Sequence, residues 1–226
     1  LMYKLQMFST IRVFLDELDP RIINLFLIPD VSKLFKSGTD YFGLPVAKFK
    51  LSDFQKNELL KYIEKSGTKL ISTDIKLLDP IITRYVLNIS VVAYDDVEND
   101  TVKSSITDAL GSYFIALNRN DRIPKSDLIS VIESLNGVDS VSLTVLSEKN
   151  ELAFIQNPSR TETDLVGLDE MNDIIIKADE FPVIRGGWRD RFGNVYQTGI
   201  SDIGLGAVNI EIKPKRSIRR KISNLI

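Results

Sequence analysis

Between residues 81 and 94 the odd positions Tyr85, Leu87, Ile89, Val91 and Ala93 are apolar, while Arg84, Asn88 and Ser90 fall between them. Successive side chains of a strand point to opposite faces, so this alternation specifies a long strand with one buried face and one polar face. A strand of that kind needs a second layer over its apolar side, and the rest of the chain is read for what supplies it.

Amphipathic helices follow it directly. Asn99 or Asp100 caps a helix in which Val102, Ile106, Leu110, Tyr113, Phe114 and Leu117 recur at spacings of three and four. Pro124 opens a shorter helix whose Leu128, Ile129, Ile132 and Leu135 face inward, and Asn136 with Gly137 closes it. Val141, Leu143 and Val145, set against Ser140, Ser142 and Thr144, then give another alternating strand.

Upstream, residues 22–28 are a short apolar run stopped by Pro29 and Asp30, the pattern of a buried strand. Residues 30–50 carry Gly38, Gly43 and Pro45 among scattered aromatics and read as a loop or insertion. Ser52 and Gln55 form a capping box, Leu59, Leu60 and Ile63 continue one stripe, and Gly67 offers the left-handed conformation that ends a helix. Residues 68–78 are rich in β-branched and apolar side chains and stop at Asp79 and Pro80, which makes a second strand. Residues 1–18 fit a strand or a helical turn or two equally well.

In order, residues 21–150 read β-α-β-β-α-(α)-β, the split-βαβ pattern of a ferredoxin-like α+β sandwich with helices on one face of an antiparallel sheet. Residues 1–20 are expected to be the end of an upstream segment, and the chain, which starts on Leu1, is expected to be part of a longer protein. Past residue 150 the texture changes. Residues 157–163 are a polar link, residues 174–176 and 181–184 are short strand candidates, and residues 207–212 alternate. With glycines punctuating the rest, residues 151–226 read as a small β-rich unit with a basic tail. Residues 188–196 look like a hairpin with Phe192, Gly193 and Asn194 at its tip.

Composition narrows the chemistry. The chain has no Cys and no His, which removes imidazole acid–base catalysis, thiolate nucleophiles, ordinary zinc sites and disulfides. Lys and Arg number 29 against 31 Asp and Glu, a formal charge of −2, so no overall basic excess is available to grip a phosphate backbone. No apolar run approaches the roughly 20 residues of a membrane-spanning helix.

Candidate sites are few. Gly204 and Gly206 do not open a helix and Asn209 stands where a dinucleotide fingerprint needs Gly or Ala, so they read as turn glycines, as do Gly186 and Gly187. Asp95, Asp96 and Glu98 precede a helix and complement its dipole, while Asp169, Glu170 and Asp173 lack calcium-loop spacing. No metal, cofactor or catalytic residue is assigned. Lys213, Lys215, Arg216, Arg219, Arg220 and Lys221 form a basic tail read as solvated. The remaining cluster has the composition of a protein–protein hot spot: Trp188, Phe192 and Tyr196 with Arg185 and Arg189 on a glycine-bounded hairpin. These five residues are the expected interface, and the C-terminal unit is expected to carry the main self-association surface. Burial of the Trp within its own unit is the competing reading.

Two stretches carry a family resemblance. Asp79 and Pro80 with the strand at 81–94, the helix at 102–117, residues 126–132 and residues 137–141 resemble the baseplate J-like proteins and the related wedge proteins of contractile-tailed phages. Residues 181–191 (Phe-Pro-Val-Ile-Arg-Gly-Gly-Trp-Arg-Asp-Arg), followed by Gly193, Asn194 and Tyr196, look more narrowly like the baseplate wedge protein of large myophages. The resemblance implies a virion structural protein without catalytic residues, assembled in the host cytoplasm. Such a protein associates with itself and with other wedge subunits to close a ring around the tail hub, and this chain is similar to its C-terminal part. The alternative, a nucleic-acid-binding ferredoxin-like module using the basic tail, is disfavoured because the strands lack the aromatic pattern of such a sheet.

Overall fold

The structure is a computed structural model, and it describes residues 8–30, 32, 35–67, 73–94, 97–116, 121–156, 167–177, 179–200 and 205–213. In chain order its elements begin with β1 (Phe8–Leu15), β2 (Ile22–Pro29), a helical turn α1 (Asp40–Gly43), a 3-10 turn (Val46–Phe49) and α2 (Asp53–Lys65). Then come β3 (Asp74–Leu78), β4 (Ile81–Ala93), α3 (Asn99–Ile115), β5 (Arg122–Ile123), α4 (Lys125–Glu133), β6 (Val138–Ser147) and α5 (Glu148–Gln156). The C-terminal third adds β7 (Ile174–Ile175), β8 (Glu180–Ile184), β9 (Trp188–Arg189), β10 (Val195–Tyr196) and β11 (Val208–Lys213).

The fold is α+β, and β4 is the spine of its main sheet. One edge of β4 pairs antiparallel with β6, so that Leu87 meets Val145 and Ile89 meets Leu143. Along the other edge two strands lie end to end, both parallel to β4: β8 beside residues 81–85 and β11 beside residues 87–92. The odd residues of β4 point to one side, where Leu87, Ile89 and Val91 are buried with Ile106, Leu110 and Phe114 of α3 and with Leu128 and Ile132 of α4. On the other side Val86 packs with Trp188 and Tyr196 of the β9–β10 hairpin in a separate small cluster.

The expected loop at 30–50 contributes to the main core through Tyr41, Phe42 and Phe49. Its seat on α3 depends on two glycines. A Cβ at Gly111 would overlap the carbonyl of Gly38, and a Cβ at Gly38 would overlap the carbonyl of Asp108, so both positions are closed to any side chain.

β1, β2 and β3 form a second sheet, with β1 antiparallel and β3 parallel to β2. Residues 11–15 therefore resolve as strand. α2 begins at the capping box, where Gln55 N–H donates to the Ser52 hydroxyl and Ser52 N–H donates to the Gln55 side chain. Gly67 follows α2 with φ +67°. Pairing places Ile11, Val13 and Leu15 on one face with Leu27, Leu25 and Ile23, and β2 extends that face to Ile75 and Leu77. α2 lies beside β3, where Leu60 shares a groove with Ile75 and Leu77. It leaves the β1 end of the face open, and Ile11, Val13 and Leu15 are 46%, 62% and 60% exposed. The opposite face turns toward the body of the protein, and Arg12 there donates from Nη1 to the Lys177 carbonyl at 2.7 Å.

The strands expected to share one antiparallel sheet thus divide between two. A split βαβ unit would insert another strand between β2 and β3, but here they are direct neighbours. The edge of β4 is occupied instead by β8, which has the short apolar character of β2, and by β11, which is short and alternating. The boundary drawn at residue 150 does not break the main sheet, since both of those strands lie beyond it, and residue 20 does not separate β1 from β2. α5, which begins where β6 ends, went unread. Residues 68–72, Leu117, the polar link at 157–163 and the basic tail after Lys213 lie outside the described residues.

Candidate interaction surfaces

The hairpin at 188–196 forms as its turn residues predict. Trp188 pairs with Tyr196 and Arg189 with Val195, and Gly193 sits at the tip with φ +87°. Asp190 organises the tip, its carboxylate accepting from Phe192 N–H at 3.0 Å, Asn194 N–H at 2.8 Å, Asn194 Nδ2 at 2.8 Å and the Tyr196 hydroxyl at 3.2 Å. Burial alone would raise the Asp190 pKa, but these donors, Asn194 foremost, outweigh it and hold the carboxyl below its ordinary value. Burial, together with the charge of Asp190, pushes the Tyr196 hydroxyl up to about 12. A carboxylate oxygen of Glu151 on α5 accepts from Arg191 N–H at 2.9 Å and ties the tip to the body.

Three of the five residues expected at the interface are inside the protein. Trp188 is 7% exposed, packs tilted against Tyr196 with ring centroids 4.9 Å apart and donates from Nε1 to the Arg185 carbonyl at 3.3 Å. Tyr196 is 3% exposed, and both rings cover Val86. Arg185 is 1% exposed. Its guanidinium donates to the carbonyls of Ile184 at 2.7 Å, Leu44 at 3.0 Å and Tyr41, and lies 4.8 Å from the Tyr41 ring centroid. No carboxylate is among these partners. Burial pushes the guanidinium pKa down, with Tyr41 opposing the shift. Burial likewise raises the Tyr41 hydroxyl, which accepts from Ile184 N–H.

Only Arg189 and Phe192 of the five stand on the surface. Phe192 is 76% exposed, with the Arg191 guanidinium carbon 4.9 Å from its ring centroid. The residue types of a hot spot are also those of a small buried cluster, and a Trp needs only one acceptor for its indole N–H to be buried.

A second apolar surface went unread from sequence. Ile11, Val13 and Leu15 on the edge strand β1, with Leu18 at 95% exposure in the turn after it, make a row of uncovered side chains. The signal was present in the alternation of residues 11–15, but the pattern is the same whether the apolar face is buried or bare. A third feature is a cleft of about 890 Å³ around the outer edge of β11, lined by Lys103, Ser104 and Thr107 of α3 on one side of the main sheet and by Asn88, Ser90 and Glu211 on the other.

The acidic residues have structural duties where they are described. Asp169 accepts from Met171 N–H and Asp173 N–H in a turn, and Asp173 accepts from Lys125 N–H at 2.7 Å. Glu98 occupies the position before α3 without a side-chain cap bond, so neither Asn99 nor Asp100 is the cap, while Asp95 and Asp96 lie outside the described residues. Gly206 precedes β11, its N–H donating to the Asn209 side chain, and Gly186 packs against the Gln197 carbonyl. Among the described residues no cluster of acidic side chains has the geometry of a metal site, and no helix is long and apolar enough to cross a membrane. The chain matches no protein-family model and no curated protein.

Proposed function

We propose that this chain is a structural subunit of a contractile phage-tail baseplate wedge, associating with copies of itself and with other wedge proteins in the ring around the tail hub. The observation that carries the reading is the bare apolar row of β1. Ile11, Val13 and Leu15, with Leu18 in the turn that follows, are each close to half exposed or more, and the outer edge of their strand pairs with no other described strand. Side chains of this kind gathered on an edge strand mark an assembly surface. The resemblance of residues 79–141 and 181–196 to wedge proteins supplies the kind of assembly, and Phe192 with Arg191 adds a second exposed anchor.

The test is purification of the tagged protein together with the products of the genes that adjoin its own. The expected result is a complex with tail-structure proteins that Val13→Lys weakens at least tenfold, equivalent to about 1.4 kcal/mol, without lowering the urea midpoint. Purification of the protein alone, as a monomer at every concentration, would overturn the reading.

A further inference from the structure

We infer that the outer edge of β11 is a strand-addition site for an extended segment of a partner polypeptide. The inference rests on the cleft and does not depend on which assembly the protein joins. Val208 stands opposite Leu87 in the parallel ladder, and Leu87 N–H donates to the Ala207 carbonyl at 3.0 Å. In a parallel pair alternate residues turn both backbone groups toward the neighbour. Asn209 and Glu211 therefore face β4, and Ile210 and Ile212 direct their N–H and C=O groups to the opposite side. A bridge from Ile200 covers Val208, and past it no described residue pairs with that edge.

The sheet treats its two edges differently. On β6, Asn172 acts as a substitute strand, its Oδ1 accepting from Val145 N–H at 2.7 Å and its Nδ2 donating to the Val145 carbonyl at 2.9 Å. Among the described residues nothing covers β11 in this way at Ile210 and Ile212. The cleft runs beside Ile210 instead, and its volume of about 890 Å³ is in the range of pockets that enclose a ligand, roughly 300–1,000 Å³. It follows the strand from Val208 to Glu211, a run of about 13 Å at about 3.3 Å per residue.

The walls select the occupant. Lys103, Ser104 and Thr107 of α3 line the cleft beside the edge. A second copy would bring this same α3 wall up with its own edge, whereas a single extended segment needs only the room the cleft gives. Side chains of that segment pointing to the α3 side meet Val208, Ile210 and Thr107, which suits small apolar groups. Those pointing the other way meet Asn209 and Glu211, which suits hydroxyl or basic groups. Main-chain hydrogen bonds give such a complex its affinity and the alternate pockets its selectivity.

Amide hydrogen exchange read by NMR on the full chain tests this, with the blocked peptide acetyl-Val-Lys-Val-Ser-Val-Lys-Val-amide as the probe. In the free chain the amides of Ile210 and Ile212 are expected to exchange fast and those of Asn209 and Glu211 slowly. The peptide should slow Ile210 and Ile212 at least about tenfold, with Kd below about 1 mM. The same peptide N-methylated at alternate residues should have no effect, and Ser104→Trp, an exposed position that fills the cleft, should abolish the protection. Four results would overturn the inference: no protection by the peptide at about 5 mM, equal protection by the N-methylated form, protection in the free chain already, or protection that grows with protein concentration alone. The third would mean that the chain covers its own edge, and the fourth that a second copy does.

Discussion

Replacing Arg185 by Met keeps the aliphatic stem and removes the charged head, which isolates what the guanidinium does. In the structure that head donates to three carbonyls, of Tyr41, Leu44 and Ile184, and stacks over the Tyr41 ring. Hydrogen bonds from a charged donor contribute about 1.5–3 kcal/mol each, or roughly 5–9 kcal/mol for three. Against that, the charge sits in a 1% exposed position with no carboxylate among its bonded partners, and its burial costs several kcal/mol. Nε has no hydrogen-bond partner at all. The variant recovers the burial cost but takes the donor away from the Leu44 and Ile184 carbonyls, while the Tyr41 carbonyl keeps its bond from Leu44 N–H, leaving a net loss of about 3 kcal/mol. With a urea slope of about 2.5 kcal/mol/M the unfolding midpoint should fall by about 1 M. Arg185→Lys should lose nearly as much, because one ammonium cannot reach three carbonyls in the plane of a ring. A midpoint unchanged or raised in Arg185→Met would show that apolar packing serves as well as the carbonyl cage, and the reasoning would fail.

Trp188→Ala removes a buried indole packed against Tyr196 and should cost about 3–5 kcal/mol of stability while leaving association unchanged. A dilution series by sedimentation beside a urea melt measures both, and weakened association at an unchanged midpoint would restore Trp188 to an interface. Asp190, held below its ordinary pKa, binds a proton more readily in the unfolded chain than in the fold. Its stabilisation is therefore complete above the unfolded value and is lost as pH falls through the lower folded value. Melts between pH 5 and about 2 should show wild type losing more stability than Asp190→Asn. Parallel pH curves would refute the role.

The elements that local pattern decides were legible. β4, α3, α4 and β6 follow from the spacing of Leu87, Ile89 and Val91, of Val102, Ile106 and Leu110, and of Leu143 and Val145, because each periodicity is a property of a few consecutive residues. Strand pairing is not such a property. β2 and β8 are short apolar runs and β11 a short alternating one, and which of them lies along β4 depends on loop closure and layer packing that no window of residues records. The consequence was a ferredoxin-like sheet read where two sheets stand. Tyr41, Phe42 and Phe49 were lost for a related reason: scattered aromatics in a glycine-rich stretch have no period, yet a close approach at Gly38 and Gly111 carries them into the core.

The candidate site failed in a more instructive way. Arg185, Trp188, Arg189, Phe192 and Tyr196 were grouped by residue type, and the chain sorts them by backbone direction instead. Trp188 and Tyr196 face each other across a two-stranded ladder, so both turn to the same side, the side that holds Val86. Arg189 and Val195, the next pair along, point outward by the same alternation. Phe192 escapes the alternation because it lies in the turn, and Asp190 holds the backbone of that turn in place through Phe192 N–H and Asn194. An aromatic on an already ordered backbone binds with a smaller entropy cost than one on a segment that must be ordered first. Of the aromatic residues once grouped together, the one that no periodicity governs is therefore the one still available to a partner.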